Sequence, residues 1–598
     1  MVDPRIYRAL MVVVAFAVIV FGFSLQRRPA PLSARLAPGQ FFASLQSTES
    51  TMATRYPQRS PGSVGDAGLA AYLARALAGG GGSGISGFSV QTQRFTSSTP
   101  SGPRTLENVI ATKPGLGSGT IVVVSDRDAP TVPGRTELYS TAVMLGLAQA
   151  LSAETLSRSV TLVSTSGQVG VAGATHLAQT LAGQPVDAVI ELGNLAGEVV
   201  HGPVVVPWSN TDRMAPPLLV GTLAHAISSQ AGIANVATGL AGQVARMAFP
   251  FAVTEQAPFA ASGLPAVLVS LSGDRTVVGP VALGPAGRPA ALGTALLNAV
   301  NALDHGRAVG SPGSYLSLSG QLVPLWAVRL LVLALILPVA AVTLDAAARV
   351  RRRGHMLTRW LAWVLAGVAP FVIGLLTLLL ARASGVLSFA PAGAVAATAL
   401  SGGDLTALVL VLVAVAVSFF ILRPVFLRLL ARRLPESRRR PESPAADAAA
   451  VALSAVLCVL TVVVWSANPF AALLLIPALH LWVWLAQAEV RSRRWAVALL
   501  LALGSLPALL ILFYYANAYG LSPFALIASL VLLPGGAMSL GAALYWSVAV
   551  GCLASAGILS VRALRAGAAL AAAPVSVRGP ATYAGPGSLG GTGSALRR

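Results

Sequence analysis

Long apolar runs constrain this chain more than any other feature of its sequence. One run covers residues 6–25, and seven more follow residue 322, at 325–344, 360–381, 405–422, 447–466, 469–488, 495–515 and 538–561. Each approaches the roughly 20 apolar residues that a helix needs to cross a hydrocarbon core about 30 Å thick. The sequence therefore predicts a polytopic membrane protein with about eight transmembrane helices, and excludes a water-soluble multidomain enzyme.

The first run has two interpretations, a cleaved signal peptide or an uncleaved signal anchor. Its length exceeds the 7–15 residues usual for the apolar region of a signal peptide. No small-x-small cleavage site follows it before Arg27 and Arg28. These features favour a signal anchor.

Arginine clusters at the ends of the apolar runs predict the orientation. They follow the second, fourth, sixth and eighth runs, at 349–353, 423–440, 491–494 and 562–565. Because basic residues concentrate on the cytoplasmic side, we expect a multi-pass protein of the cell membrane with both termini in the cytoplasm. A further run at 524–533 is too short to span as a helix, so we expect it to be interfacial or re-entrant.

The charge distribution separates a balanced middle segment from strongly basic flanks. Residues 30–322 carry 15 basic and 14 acidic side chains, whereas the remainder carries 26 basic and 7 acidic ones. Basic residues that flank apolar runs favour membrane lipids as partners and argue against nucleic acid. We predict a cytoplasmic amino terminus with its anchor, an extracytoplasmic domain, a seven-helix membrane domain and a disordered cytoplasmic tail, at 1–28, 29–322, 323–565 and 566–598.

The extracytoplasmic part alternates two kinds of apolar pattern. Short β-rich runs at Thr120–Val124, Val160–Ser164, Ala188–Leu192 and Ala266–Leu271 alternate with helical stretches at Thr141–Leu151 and Ala172–Leu181. This alternation predicts an α/β domain with a mostly parallel sheet. Ligands of such sheets bind beyond the carboxyl ends of the strands, so we expect a site in the loops that open at residues 125, 165, 193 and 272.

Those loops carry a family resemblance. Five segments in order, Val124–Asp128, Pro133–Glu137, Ser166–Gly170, Glu191–Asn194 and Thr254–Phe259, resemble the metal loops of the co-catalytic zinc aminopeptidases. The resemblance covers roughly residues 50 to 275. It implies an aminopeptidase fold and, in the family, a two-zinc site of histidines and carboxylates with a glutamate as general base.

The chain departs from the family at the ligand positions. Asp126 replaces the first histidine and Glu137 the bridging aspartate, while Gly167 and Gln168 replace the paired glutamates and Gly193 the next aspartate. Asp128 is the remaining acid of the first loop, and we expect neither a dizinc site nor a catalytic residue.

Two interpretations of these acids stay open. A single Ca²⁺ or Mg²⁺ held by Asp126, Asp128 and Glu137 would suit oxygen-only donors. Alternatively, the two aspartates pair with arginines or cap the next helix.

Three further residues are candidate binding groups. Glu255 and Gln256 lie in the last of the five segments, and His480 lies within the sixth apolar run. A polar ring at bilayer depth lines a functional cavity or bonds to a neighbouring helix, and the sequence leaves both open. An aromatic belt at the membrane surface is predicted from Phe513, Tyr514, Tyr515 and Tyr519.

The whole layout resembles the attachment subunit of the eukaryotic GPI transamidase, which combines one anchor, an aminopeptidase-like domain without a working metal site, and further spans. The resemblance implies a catalytically lapsed scaffold for an exported or membrane protein, a peptide or a lipid-linked substrate. An active membrane-bound metallo-aminopeptidase with a rearranged site at Asp128 and Glu137 is the first alternative. A transporter that uses His480 is the second.

Overall fold

The computed structural model describes residues 3–34, 42–99, 102–129, 138–168, 171–251, 254–275, 282–387, 400–432, 447–491, 493–536 and 538–572. Up to residue 324, the elements in chain order are α1 (Pro4–Phe23), β1 (Gln26–Arg27), α2 (Leu45–Arg55), α3 (Val64–Leu77), β2 (Ser89–Thr99), β3 (Gly102–Lys113), β4 (Thr120–Asp126), α4 (Tyr139–Ser152), β5 (Ser159–Thr165), α5 (Ala172–Leu181), β6 (Val186–Leu192), β7 (Val205–Val206), α6 (Pro217–Ala231), α7 (Leu240–Ala248), α8 (Gln256–Ala261), β8 (Ala266–Val269), α9 (Arg288–His305), β9 (Tyr315–Leu318) and β10 (Gln321–Pro324).

Within the described residues, the main sheet has the strand order β2-β3-β5-β4-β6-β8-β7. The four central strands β5, β4, β6 and β8 run parallel, while β2, β3 and β7 are antiparallel additions at the edges. The predicted α/β domain with a mostly parallel sheet is therefore confirmed. The β2–β3 hairpin was not predicted, because most of β2 is exposed or half-exposed and lacks an apolar run.

Side chains of β4 show why both faces of the sheet are covered. Ile121 and Val123 are buried against the layer that includes α4, α6 and α9. Val122 and Val124 are buried on the opposite face against α5 and α8. A strand that is buried on both faces reads as a continuous apolar run, which is the pattern in the sequence.

The helical part of the chain follows directly on β10. Its elements are α10 (Leu325–Arg352), α11 (Leu357–Ala383), α12 (Gly402–Val417), α13 (Arg423–Arg432), α14 (Asp447–Ala467), α15 (Pro469–Trp482), α16 (Ala488–Arg491), α17 (Arg494–Tyr519), α18 (Pro523–Leu532) and α19 (Leu540–Ala572). A π-helical turn at Ser418–Leu422 joins α12 to α13.

Eight helices in the described residues are long and apolar enough to cross a membrane, as predicted. They begin with α1 and include α10, α11, the α12–α13 segment, α14, α15, α17 and α19. The run at 524–533 forms the shorter apolar helix α18. The molecule is thus compatible with a multi-pass membrane protein, and its orientation stays a prediction.

A buried arginine joins the α/β domain to α17. Arg246 of α7 donates a 3.0 Å hydrogen bond to Asp274 and bonds to the hydroxyls of Tyr514 and Tyr519. Its guanidinium carbon also lies 5.2 Å from the ring centre of Tyr515. We call Arg246, Asp274 and these three tyrosines the arginine cage.

The arginine cage corrects the predicted aromatic belt. Tyr515 is fully buried, and its hydroxyl donates a 2.6 Å hydrogen bond to the Phe249 carbonyl. Only Phe513 of the four aromatic residues is strongly exposed. Aromatic side chains at the end of an apolar run serve here to hold a cation from the adjoining domain, which a local pattern does not reveal.

Candidate functional site

The parallel register brings the carboxyl ends of β4, β5 and β6 to one edge of the sheet. Asp126 pairs with Thr165 of β5, and Ser125 pairs with Leu192 of β6. The loops that follow these strands meet the loop that ends at Glu255, just before α8. Four acids converge there, and we call them the acidic cluster: Asp126, Asp128, Glu191 and Glu255.

Asp128 holds the loop after β5. Its Oδ1 accepts hydrogen bonds from the amides of Gly167 at 2.8 Å and Gln168 at 3.2 Å. Gly167 has φ +89°, and a Cβ at this position would lie 2.9 Å from a Leu106 side-chain carbon. The loop therefore depends on a glycine and on an acid that accepts its amides.

Beneath this loop lies a buried ion pair. The Nε of Arg127 lies 2.8 Å from Oδ1 of Asp66, and both side chains are excluded from solvent. Arg127 also donates hydrogen bonds to the carbonyls of Ser164 at 3.0 Å and Glu107 at 2.6 Å. Because every part of the guanidinium is engaged with the protein, this pair fixes the first loop against β3 and β5.

Glu191 and Glu255 are two buried acids that lie in contact with each other. The Glu255 amide donates a 3.1 Å hydrogen bond to Glu191 Oε1, and Thr165 donates one of 2.8 Å to Glu255 Oε2. The side chains are 6% and 2% exposed. Their other oxygens, Glu191 Oε2 and Glu255 Oε1, have no hydrogen-bond partner among the described residues.

The surroundings of the acidic cluster favour its protonated forms. Burial, together with the charges of Asp66 and Asp126, raises the pKa of Asp128 to about 7. Burial, with the charge of Asp126, raises the pKa of Glu191 to about 8. Burial followed by the charges of its three neighbours raises the pKa of Glu255 well above its ordinary value. At neutral pH the two glutamates therefore hold protons.

Asp126 is the most accessible acid of the cluster. It is half-buried, and the surrounding protein raises its pKa to about 6, an effect that Arg59 opposes. It is therefore the member that is mostly ionised at neutral pH.

The family resemblance implies a metal site of histidines and carboxylates. No three His, Cys, Asp or Glu side chains in the described part of the chain are grouped as metal ligands. His176 stacks on Phe95, and His201 contacts Arg275.

The predicted site residues have different fates. Asp126, Asp128 and Glu255 meet in the acidic cluster, and Gln168 lies at its rim, half-buried. Gly193 provides only its backbone, whose amide donates to the Val269 carbonyl.

The remaining candidates contribute no side chain to the acidic cluster or lie outside the described residues, although the Gln256 backbone interacts with Glu191. The side-chain amide of Gln256 donates to the Trp208 carbonyl. Glu137 lies outside the described residues.

Glu191 is the residue that the sequence reasoning did not single out. The resemblance placed the lost aspartate at Gly193, whereas the structure places the carboxyl group of Glu191 in the cluster. The available signal was an acid near the carboxyl end of the strand VDAVIEL, after three consecutive apolar residues. Burying a polar group without a hydrogen bond costs roughly 2–7 kcal/mol, so an acid in a buried strand indicates a partner elsewhere in the fold.

His480 lies far away, in α15. Its Nε2 contacts the Leu335 carbonyl at 2.8 Å, so this nitrogen is the donor, and its Nδ1 then accepts from the Tyr7 hydroxyl at 2.7 Å. These bonds join α1, α10 and α15. A functional role for His480 stays a prediction.

Comparison with known proteins gives structural matches alone. No known protein family matches the sequence, and no curated protein matches it. Among solved structures, a glutaminyl cyclase from an Acidobacteriales bacterium is 18% identical and covers 46% of this chain and 98% of its own, with a TM-score of 0.35.

Two aminopeptidases give similar values. A zinc aminopeptidase from Bacillus subtilis is 11% identical and covers 46% of this chain and 98% of its own, with a TM-score of 0.34. The LapA aminopeptidase of Legionella pneumophila is 14% identical and covers 46% and 76%, with a TM-score of 0.33.

Proposed function

We propose that this protein is a membrane-bound binding scaffold whose α/β domain is a catalytically lapsed relative of the zinc aminopeptidases. The mouth formed by the loops around the acidic cluster binds a peptide, a lipid-linked substrate or a partner protein. The arrangement resembles that of the GPI transamidase attachment subunit. The proposal takes from this resemblance a scaffold that presents a substrate, and it does not include attachment of a GPI anchor.

The bonding of Asp128 is the observation that carries this proposal. Its carboxylate accepts the amides of Gly167 and Gln168, the two positions where the aminopeptidase family has paired glutamates. An acid used in this way stabilises a loop that has glycine and glutamine at these two positions.

The protonated state of Glu191 supports the same conclusion. A carboxyl group with a pKa of about 8 is mostly protonated at neutral pH and is therefore a hydrogen-bond donor. Its Oε2 is buried and has no hydrogen-bond partner among the described residues, so Glu191 lies beneath the mouth. Asp126 and Gln168 are half-buried, and they are the polar side chains that a bound chain can reach.

Metal content and hydrolysis distinguish the scaffold from an active metallo-aminopeptidase. The purified full-length protein is analysed for metals and incubated with aminoacyl chromogens, together with Glu191→Gln and the exposed control Glu198→Gln. We expect zinc far below one ion per chain and no turnover in any of the three. Stoichiometric zinc with turnover that Glu191→Gln or Glu137→Ala abolishes would establish the enzyme.

Photocrosslinking tests binding at the mouth. A photoreactive amino acid at Gln168 lies beside the acidic cluster. One at the exposed His305 lies at the opposite edge of the sheet, next to Asp304, which accepts hydrogen bonds from the amides of Ser157 and Arg158 just before β5. We expect the same peptide or lipid-linked adduct from Gln168 in repeated membrane preparations, and none from His305. Equal labelling at both positions would contradict a binding mouth.

A further inference from the structure

A deep groove lies between α11, α14 and α19, beneath the α/β domain. Its volume is about 1080 Å³, slightly more than the 300–1,000 Å³ typical of ligand pockets. Val456 and Leu460 of α14 and Leu361 of α11 form part of its apolar wall. This groove is separate from the acidic cluster.

The length of the groove matches one leaflet of a bilayer. It follows α14 from Ala455 to Asn468, which is about 20 Å at 1.5 Å per residue. Half of a hydrocarbon core that is about 30 Å thick is roughly 15 Å. An acyl chain of the leaflet nearer to the α/β domain therefore fits along the groove.

The groove opens sideways between the helices. Val459, Val463 and Leu544 line it and are 64%, 54% and 45% exposed. In a helical membrane domain such surfaces face lipid. A lipid tail can thus enter from the bilayer without crossing a polar surface.

The end of the groove beneath the α/β domain is polar. We call this the polar rim, and it consists of Asn210, Thr211, Asp212 and Ser539. Asn210 Oδ1 is buried and has no hydrogen-bond partner among the described residues. Asp212 is half-buried, and burial raises its pKa, while Arg213 and Arg329 lie near enough to lower it.

These groups select the chemistry of a headgroup. Two acceptors, Asn210 Oδ1 and the Asp212 carboxylate, suit a donor such as a primary ammonium group. Arg213 and Arg329 do not line the groove, but their charges act on Asp212, and they favour a phosphate beside it. Both requirements are met by a zwitterionic lipid that carries N–H donors.

We propose that the groove binds one aminophospholipid, with an acyl chain along α14 and its ammonium group at Asp212 and Asn210. The tail contributes little selectivity, because it leaves one apolar environment for another. Selectivity therefore comes from the polar rim.

Phosphatidylethanolamine and phosphatidylcholine with identical acyl chains provide the test, since only the former has N–H donors. Full-length protein in nanodiscs of an equimolar mixture is transferred to detergent, and retained lipid is measured by native mass spectrometry. We expect one retained phosphatidylethanolamine, preferred at least several-fold. Asp212→Asn should remove most of this preference, and the exposed control Glu198→Gln should preserve it.

A second pair of variants tests the tail. Val459→Trp fills the groove and should abolish retention of both lipids, whereas Leu510→Trp, on the exposed face of α17, should leave it unchanged. Equal retention of the two lipids in the wild type, or a preference that survives Asp212→Asn, would mean bulk lipid only and would overturn the proposal. So would a polypeptide, rather than lipid, crosslinked to a cysteine at position 459.

Discussion

Arg246→Met removes the cation from the arginine cage and leaves Asp274 without its ion-pair partner. Both side chains are nearly fully buried, and Asp274 also accepts a 3.0 Å hydrogen bond from the Trp208 indole and a 3.2 Å bond from Tyr519. Methionine keeps much of the side-chain volume, so the loss is mainly electrostatic. Four aromatic rings within 5.1–5.5 Å of the guanidinium carbon lose a cation–π partner as well.

The expected magnitude follows from the burial. Removing one partner of a buried ion pair costs about 3–5 kcal/mol. With a shift of about 2–4 °C per kcal/mol, Tm should fall by roughly 6–20 °C. The same substitution in the exposed pair Arg94–Glu107, in which the Arg94 side chain is 74% exposed, should cost about 0.2–1 kcal/mol.

Thermal unfolding of the full-length protein in detergent provides the assay. Trp208 contacts Asp274 and contributes to the tryptophan fluorescence, which the nine tryptophans of the chain share. The double variant Arg246→Met/Asp274→Asn should be more stable than the two single effects combined predict, by about 1–3 kcal/mol, since no unpaired charge remains. If Arg246→Met shifts Tm no more than Arg94→Met does, or if the double variant shows additivity, the cage does not hold the domains together.

Three further predictions concern protonation and glycines. The raised folded-state pKa values of the acidic cluster mean that the native state binds more protons than the unfolded state, so stability should be greatest near pH 4–5 and fall as the pH rises to about 8. Melting curves at pH 5.5 and 8.5 check this, and Glu191→Gln should flatten the dependence; an equal slope in the variant would refute it. Gly167→Ala should lose about 2 kcal/mol or more, because its Cβ meets a leucine carbon at 2.9 Å, while Gly183→Ala, also at positive φ but in open space, should lose about 1–2 kcal/mol. Equal losses in denaturant titrations would exclude the clash. Gly551→Leu should cost about 1–3 kcal/mol, because its Cβ would lie 2.6 Å from the α11 backbone, whereas a Cβ at the control position Gly541 meets nothing within 4 Å. Thermal unfolding in detergent measures both variants, and similar losses of stability would contradict close packing of α19 against α11.

The candidate site was only partly predictable. Strand ends and the acids Asp126, Asp128 and Glu255 follow from local patterns, because parallel strands place their carboxyl ends together. The position of Glu191 depends on which of two adjacent residues points into the site. Successive side chains of a strand point to opposite faces, and the register of β6 against β4 and β8 decides which face each one takes. This register pairs Glu191 with Val124 and Leu268.

The arginine cage shows the same limit at longer range. Arg246 and Tyr519 are separated by 273 residues in sequence, and neither one by itself indicates a partner. Tyrosines near the end of an apolar run are typical of a membrane surface, so the belt was the reasonable prediction. Because α7 packs against α15 and α17, the tyrosines of α17 surround Arg246 instead of forming a belt at the membrane surface.

The sequence by itself determined the eight apolar helices, the alternation of strands and helices, and the edge of the sheet where polar loops gather. Those features follow from the spacing of apolar residues within short segments, and each segment carries this information in its own sequence. Only the tertiary structure decided that Glu191 meets Glu255, that Arg246 is enclosed by three tyrosines, and that a groove remains between α11, α14 and α19. Each of these depends on how elements that are distant in sequence pack together. The free energy of packing depends on the fit between two surfaces, which the sequence of one segment does not specify.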